Sequence, residues 1–186
     1  MTDWELIAEA KGGSAASQEI LVRRYYKLVY TFLYRMTGEK ELAMDLTQET
    51  FIKTLRQLDK YKPSSEFKSW LLTVAGNTAR DHLKSKHHKE HQHTYELLDT
   101  DMKKEKSVAS IFEKNEKRKE IQQALLDLPD FQREAILLKY YNDMKLADIA
   151  SMTNTSVPTV KSRLKQGLGK LKIYLNRGEC DEKRTN

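Results

Sequence analysis

Lys145-Leu-Ala-Asp-Ile-Ala-Ser-Met-Thr-Asn-Thr-Ser-Val-Pro-Thr-Val-Lys-Ser-Arg-Leu164 is the stretch that decides the fold of this chain. Leu146, Ile149, Ala150 and Met152 give a first short helix one apolar face. Thr153-Asn154-Thr155-Ser156 breaks the pattern with side chains that compete for backbone hydrogen bonds. Ser156 is placed as an N-cap, and Pro158 fits the first turn of a second helix, where a missing N–H leaves nothing unsatisfied. Val160, Leu164, Leu168, Leu171 and Leu175 then make one apolar stripe at helical spacing. The other face carries Thr159, Lys161, Ser162, Arg163, Lys165 and Gln166, and no acidic residue occurs from Val157 to Gly178. A short helix, a turn and a cationic helix form the pattern of a helix-turn-helix, whose second helix enters a DNA major groove with its N-terminal end at the bases. Lys and Arg neutralise phosphates there, while Gln, Ser and Thr can read base edges. The same residues also fit a helical hairpin with a solvated basic face.

Composition points the same way. In 186 residues, 32% are charged and 39% hydrophobic, so each core is modest. Gly and Pro number only 7 and 3 among abundant Leu, Lys, Glu and Ala, which disfavours strands. The net charge of +6 is a mild bias toward a polyanion. A single cysteine, Cys180, cannot form an internal disulfide, which fits a reducing cytoplasm. The N-terminus lacks a basic-then-apolar signal, and no apolar run approaches the roughly 20 residues that span a bilayer.

Outward from that stretch, the chain reads as helices throughout. Trp4, Leu6, Ile7 and Ala10 start a short one, ended by Gly12-Gly13-Ser14. A second runs from about residue 16 to 36, with Ile20, Leu21, Tyr25, Leu28, Val29, Phe32 and Leu33 facing inward. A third, from about 39 to 58, packs through Leu42, Ala43, Leu46, Phe51, Ile52 and Leu55, and collects Asp45, Gln48 and Glu49 on its exposed side. Pro63 sets a loop. A fourth, from Phe67 to about Lys86, turns Phe67, Trp70, Leu71, Val74 and Leu83 inside. Trp70 is in register with that core, although its ring could also serve as a stacking wedge.

From 87 to 118 apolar residues are sparse, and the stretch reads as a mobile linker. His87, His88, His91 and His93 within it could bind a metal, but mixed charged neighbours and no cysteine favour a solvated polar stretch. Periodicity resumes with Ile121, Ala124 and Leu125. A helix from Phe131 to Tyr141 follows, with Ala135, Ile136, Leu137 and Tyr140 as packing positions. After Asn176 the tail is polar and expected to fray. The expected architecture is therefore all-α: a domain over 1–86, a flexible charged linker over 87–118, a helix-turn-helix domain over 119–178 and a polar tail over 179–186.

Particular residues carry a family likeness. Ala43-Met-Asp45-Leu46-Thr-Gln48-Glu49-Thr-Phe51 resembles the A-x-D-L-x-Q-E-x-F signature of bacterial sigma factors. Phe67-Lys-Ser-Trp70-Leu71 and Asn77-Thr-Ala79-Arg-Asp81-His-Leu83-Lys84 resemble the segment that follows it. Leu128-Pro129, Arg133-Glu134 and Thr159-Val-Lys-Ser-Arg-Leu164 resemble the C-terminal promoter-binding domain. Two domains with no large module between them is the layout of the extracytoplasmic-function (ECF) group.

This resemblance implies roles. Asp45, Gln48 and Glu49 would dock on the clamp helices of the largest subunit of RNA polymerase, although the same residues also fit solvated helix surface. Lys62, Ser64, Ser65, Lys68, Asn77, Arg80 and Lys84 would melt and hold the minus-10 element as a single strand. Pro158, Thr159, Lys161, Ser162, Arg163, Lys165 and Gln166 would read the minus-35 element as duplex. It also implies an anti-sigma partner, often membrane-anchored. The chain departs from the family's pattern at Ser17-Gln18, at Gly76, where Arg is common, and at Pro158, Gln166 and Gly167. No nucleophile–base pairing, metal-ligand spacing or phosphate-cradling glycine loop suggests an enzyme or a cofactor. A conventional operator-binding regulator is the rival reading; it would not need the Asp45 to Phe51 face.

Overall fold

The computed structural model describes residues 1–62, 66–90 and 119–182, and for 86–90 and 176–182 the backbone alone. Helix α1 (Asp3–Lys11) opens on a capping box. Thr2 Oγ1 accepts from the Glu5 N–H at 3.3 Å, and the Thr2 N–H donates to Glu5 Oε2 at 2.7 Å, so two orphan donors are satisfied reciprocally. Ser14 caps α2 (Ala15–Thr37), which ends at Gly38 in the left-handed region, φ 78°, a conformation that side chains resist. The unexpected Ser17-Gln18 pair fastens α2 to α1. Ser17 Oγ donates to Glu9, and Gln18 Nε2 donates to the Ala10 carbonyl at 3.2 Å.

Helix α3 (Lys40–Arg56), a 3₁₀ turn (Leu58–Lys60) and α4 (Phe67–Glu90) complete the first bundle. Its core holds Leu6, Ile7, Val29, Phe32, Leu33, Met36, Ala43, Leu71, Leu72 and Ala75, all 2% exposed or less. Two expected packing positions face outward instead: Ile20 at 40% and Ile52 at 51% exposure. On α3, Thr47, Thr50 and Thr54 join the expected Ala43, Leu46 and Phe51 on the inward side. Each threonine donates its hydroxyl to the carbonyl four residues back, at 2.6 to 2.7 Å, so burial leaves no orphaned polar atom.

The second half begins with helix α5 (119–126). Helix α6 (Asp130–Ile136) widens into a π turn (Leu137–Tyr141). An unbroken α-helix to Tyr141 was expected to bury Tyr140. The wider turn shifts the register, burying both Leu137 and Leu138 and leaving Tyr140 exposed at 55%. Asn142 Nδ2 closes the turn on the Leu137 carbonyl at 2.9 Å, and the Met144 N–H on the Leu138 carbonyl at 3.0 Å. Helices α7 (Leu146–Met152) and α8 (Val157–Glu182) form the helix-turn-helix.

Between them Asn154 takes φ 49°, which Asn tolerates better than most residues. The Thr159 N–H donates to Ser156 Oγ at 3.3 Å, the expected cap. Val160 and Leu164 are buried and Leu171 partly so, but Leu168 and Leu175 are exposed. Two helices run longer than expected: α4 continues past Lys86 to Glu90, and α8 continues past Asn176 to Glu182.

Although separate in sequence, the two bundles share one continuous apolar cluster. Arg133, 6% exposed, joins them. It donates to the carbonyls of Leu125 (2.9 Å), Leu126 (2.8 Å) and Leu128 (3.0 Å) in its own half, and to Met36 at the end of α2. A cation there meets the negative ends of two helices. Burial pulls its pKa down, opposed by Asp130, whose Oδ1 lies 3.2 Å away. The Arg35 guanidinium lies 4.1 Å from the Tyr141 ring centroid across the same seam.

Candidate nucleic-acid interface

On α8, Pro158, Thr159, Lys161, Ser162, Lys165 and Gln166 are all exposed, in the first turns after the Ser156 cap. The helix amide ends and the cations therefore point the same way, as a phosphate-approaching surface requires. Arg163 is half-buried, its guanidinium 5.3 Å from the Phe131 ring centroid. Gln166 is held at both ends: its Nε2 donates to Ser162 Oγ at 3.2 Å, and its Oε1 accepts from Gln132 Nε2 at 3.0 Å. Gly167 lets α8 lie close on α6; a Cβ there would stand 2.7 Å from Ile136 Cδ1. Phe131 and Gln132 thus hold Arg163 and Gln166 in place on this face of α8. Nothing in the sequence marked them, because their role depends on α6 crossing under α8.

On α4 and in the loop before it, the sequence-predicted residues have a different environment. Lys62, Asn77 and Lys84 are exposed. Lys68 Nζ donates to the Asn142 carbonyl of the second half at 2.8 Å. Arg80 donates to Asn77 Oδ1 and to the Met152 carbonyl (3.3 Å), and forms an ion pair with Glu134. Ser64 and Ser65 lie outside the described residues, as do His91 and His93; His87 and His88 are placed as backbone only, within α4. Trp70 is partly buried, with ring centroids 5.3 Å from Tyr61 and 5.7 Å from Phe67, in the core position rather than as a free wedge.

Glu134 belongs to the Arg133-Glu134 pair of the C-terminal likeness, and its side chain is 2% exposed. Burial raises its pKa to about 7, against the opposing pull of Arg80 and then Arg163. Removing a carboxylate from water costs more than these two cations return at this site.

The third surface is on α3. Asp45, Gln48 and Glu49 are exposed, and their spacing puts them on one face. Glu49 pairs with Lys53 at 2.7 Å. Two exposed apolar residues flank them, Met44 and Ile52. The 44, 48, 52 spacing is a second stripe, outward-facing, and could have been read from the sequence. Beside it the Tyr26 ring stacks on Phe51 (6.4 Å) and on Tyr30 (6.3 Å). Among the described residues, no group of three or more metal-ligating side chains could hold an ion, and no helix is long and apolar enough to cross a membrane.

An all-helical chain with a helix-turn-helix at one end and an acidic, amide-bearing helix face at the other is the layout of a DNA-binding transcription factor. The family descriptions Sigma-70 region 2 and Sigma-70, region 4 match residues 21–89 and 118–171. The ECF RNA polymerase sigma factor SigW of Bacillus subtilis is 30% identical over 91% of this chain and 94% of its own length. SigM of the same organism is 33% identical over 87% and 97%. The solved structure of the sigma factor RpoE from Bartonella quintana, in complex with the anti-sigma factor NepR, has the same fold. It shows a TM-score of 0.69 at 20% identity, covering 85% of this chain and 96% of that one. This chain belongs to the ECF sigma factors of the sigma-70 family. It directs RNA polymerase to specific promoters.

Proposed function

We propose a division of labour among the three surfaces. Asp45, Gln48 and Glu49, with Met44 and Ile52 at their flanks, dock on the clamp helices of the largest polymerase subunit. Carboxylates and an amide set orientation against basic partners, and the apolar flanks add contact area. In the 1–86 half, Lys62, Ser64, Ser65, Lys68, Asn77, Arg80 and Lys84 hold the separated minus-10 strand. In the 119–178 half, Pro158 to Gln166 read the minus-35 duplex. Tethering the halves raises the effective concentration of each at its site, so neither needs high affinity alone. The factor does no covalent chemistry; its work is positioning and strand capture.

An anti-sigma protein, such as the NepR that accompanies the Bartonella factor, is the expected regulator. It would hold the factor in the cytoplasm or at the membrane. The observation that carries this reading is the coexistence of an acidic polymerase-type face and a basic helix-turn-helix face on opposite halves of one chain. Run-off transcription with purified core polymerase on a randomised promoter library tests it. The protein should make core initiate at a defined sequence class. Glu49→Arg should abolish that while leaving duplex binding intact. Initiation unchanged by the protein, or equal damage to both activities, would overturn the assignment.

A further inference from the structure

Helix α1 precedes the segment matched by Sigma-70 region 2, which begins at residue 21, and carries none of the residues assigned to polymerase or DNA. Its inner face is fastened by Leu6 and Ile7, which are at most 1% exposed. Its two ends carry polar side chains that reach toward the strand-holding residues. At the C-terminal end, Lys11 Nζ donates to the Tyr61 carbonyl at 2.8 Å and stands 5.8 Å from the centroid of the Tyr61 ring. A lysine in a last helical turn ordinarily offsets the carbonyl end of its own helix. This one reaches 50 residues along the chain instead. The Tyr61 N–H is engaged as well, on the Leu58 carbonyl at 3.0 Å. Both backbone groups of Tyr61 are therefore fixed where the chain passes to Lys62.

At the N-terminal end of α1, Asp3 accepts from the Tyr25 hydroxyl and pairs with Arg24. The Tyr25 ring stands edge-on to Phe67, with centroids 5.2 Å apart. Tyr61 meets the same Phe67 ring edge-on at 5.4 Å. Phe67 immediately precedes Lys68. The two ends of one short helix thus converge on the residues next to two cations assigned to the single strand.

We infer that α1 is a positioning element for strand capture. Lys11 sets the backbone from which Lys62 projects. Asp3, through Tyr25 and Phe67, sets the start of the helix that carries Lys68. This deepens the strand-holding reading given above and rests on it. Lys11 acts through Tyr61 and does not touch the strand. With Tyr61 fixed beforehand, Lys62 loses less freedom when the strand arrives, and such pre-organisation raises affinity without a new contact.

The test uses holoenzyme assembled from core polymerase and the full chain. The probe is a fluorescein-labelled non-template oligonucleotide carrying the minus-10 sequence recovered by the run-off selection, followed by anisotropy. Lys11→Met keeps the apolar stem and removes the ammonium. It should bind the probe about tenfold more weakly, the scale of one lost hydrogen bond from a charged group. Assembly onto core should be unchanged, and so should the slope of log affinity against log salt, because no phosphate contact is lost. Lys11→Arg, which can donate to the same carbonyl, should restore binding.

Probe affinity equal to the parent in Lys11→Met would overturn the inference. A salt slope smaller by about 0.7 would also overturn it, by making Lys11 a phosphate contact in its own right. An equal loss of assembly onto core, or a loss that Lys11→Arg leaves unrepaired, would reduce Lys11 to a fold contact. Tyr25→Phe carries the test if Lys11→Met unfolds. It keeps the ring on Phe67, removes the bond to Asp3 and should cost about threefold in probe affinity; no loss would overturn the Asp3 link. A parent holoenzyme that binds the probe no better than core alone would instead sink the strand reading itself, and this inference with it.

Discussion

Helices α4 and α8 both carry the cations assigned to DNA, and the fold treats them in opposite ways. On α8, Lys161, Ser162 and Lys165 stand in solvent above a packed underside of Val160 and Leu164. On α4, Lys68 and Arg80 bond across to the other half. The difference teaches that the face proposed for duplex is built within its own bundle. Two of the cations proposed for the single strand are instead bonded across to the other bundle. It also follows the chemistry of the targets. Duplex promoter presents its phosphates at all times, whereas a single strand exists only after melting.

The contrast can be broken or sharpened by substitution. The largest effect should come from Leu164→Ala, which empties a buried site beneath the α8 face. About 2–5 kcal/mol of stability should be lost, read by denaturant unfolding, with duplex binding lost together with the fold of that half. Intact duplex binding at full stability would mean that α8 does not depend on its underside. Next is Lys161→Ala. Duplex affinity should fall, and the slope of log affinity against log salt should drop by about one, while oligothymidine binding stays unchanged. A matching loss on single strand would erase the distinction between the two helices. Ser156→Ala should cost about 1 kcal/mol through the lost cap, with a small loss of duplex affinity from fraying at the reading end.

The gentlest probe is pH. In the folded chain Glu134, facing Arg80, Arg163 and Asp130, has its pKa raised by burial to about 7 from an ordinary 4.5. Folding therefore binds a proton that the unfolded chain releases. Its contribution is fully present below the ordinary value and declines as pH rises through about 7. The unfolding free energy from denaturant titration should fall between about pH 5 and about pH 8. A rise over that range would reverse the sign assigned to this carboxylate.

Much of this was legible from residues alone. Helical spacing, Ser156 and Pro158 fixed the helix-turn-helix, and the Asp45, Gln48, Glu49 spacing fixed one face of α3, because such signals are local. The errors share a cause. Ile20, Ile52, Leu168 and Tyr140 are apolar at helical spacing, yet exposed. Periodicity says which residues share a face, but not whether a neighbour arrives to cover it. Thr47, Thr50 and Thr54 show the converse. Their hydroxyls are satisfied by their own helix, so they enter a core that hydropathy denied them.

The sequence by itself determined an all-helical chain, its turns and caps, and which cations and carboxylates could share a surface, since each follows from interactions within a few residues. Tertiary structure alone decided that Arg133 would join two bundles, that Gly76 would seat Met152, and that Glu134 would meet Arg80 from 54 residues away. Those pairings depend on how two packed bodies fit, and shape complementarity between distant segments leaves no periodic trace along the chain.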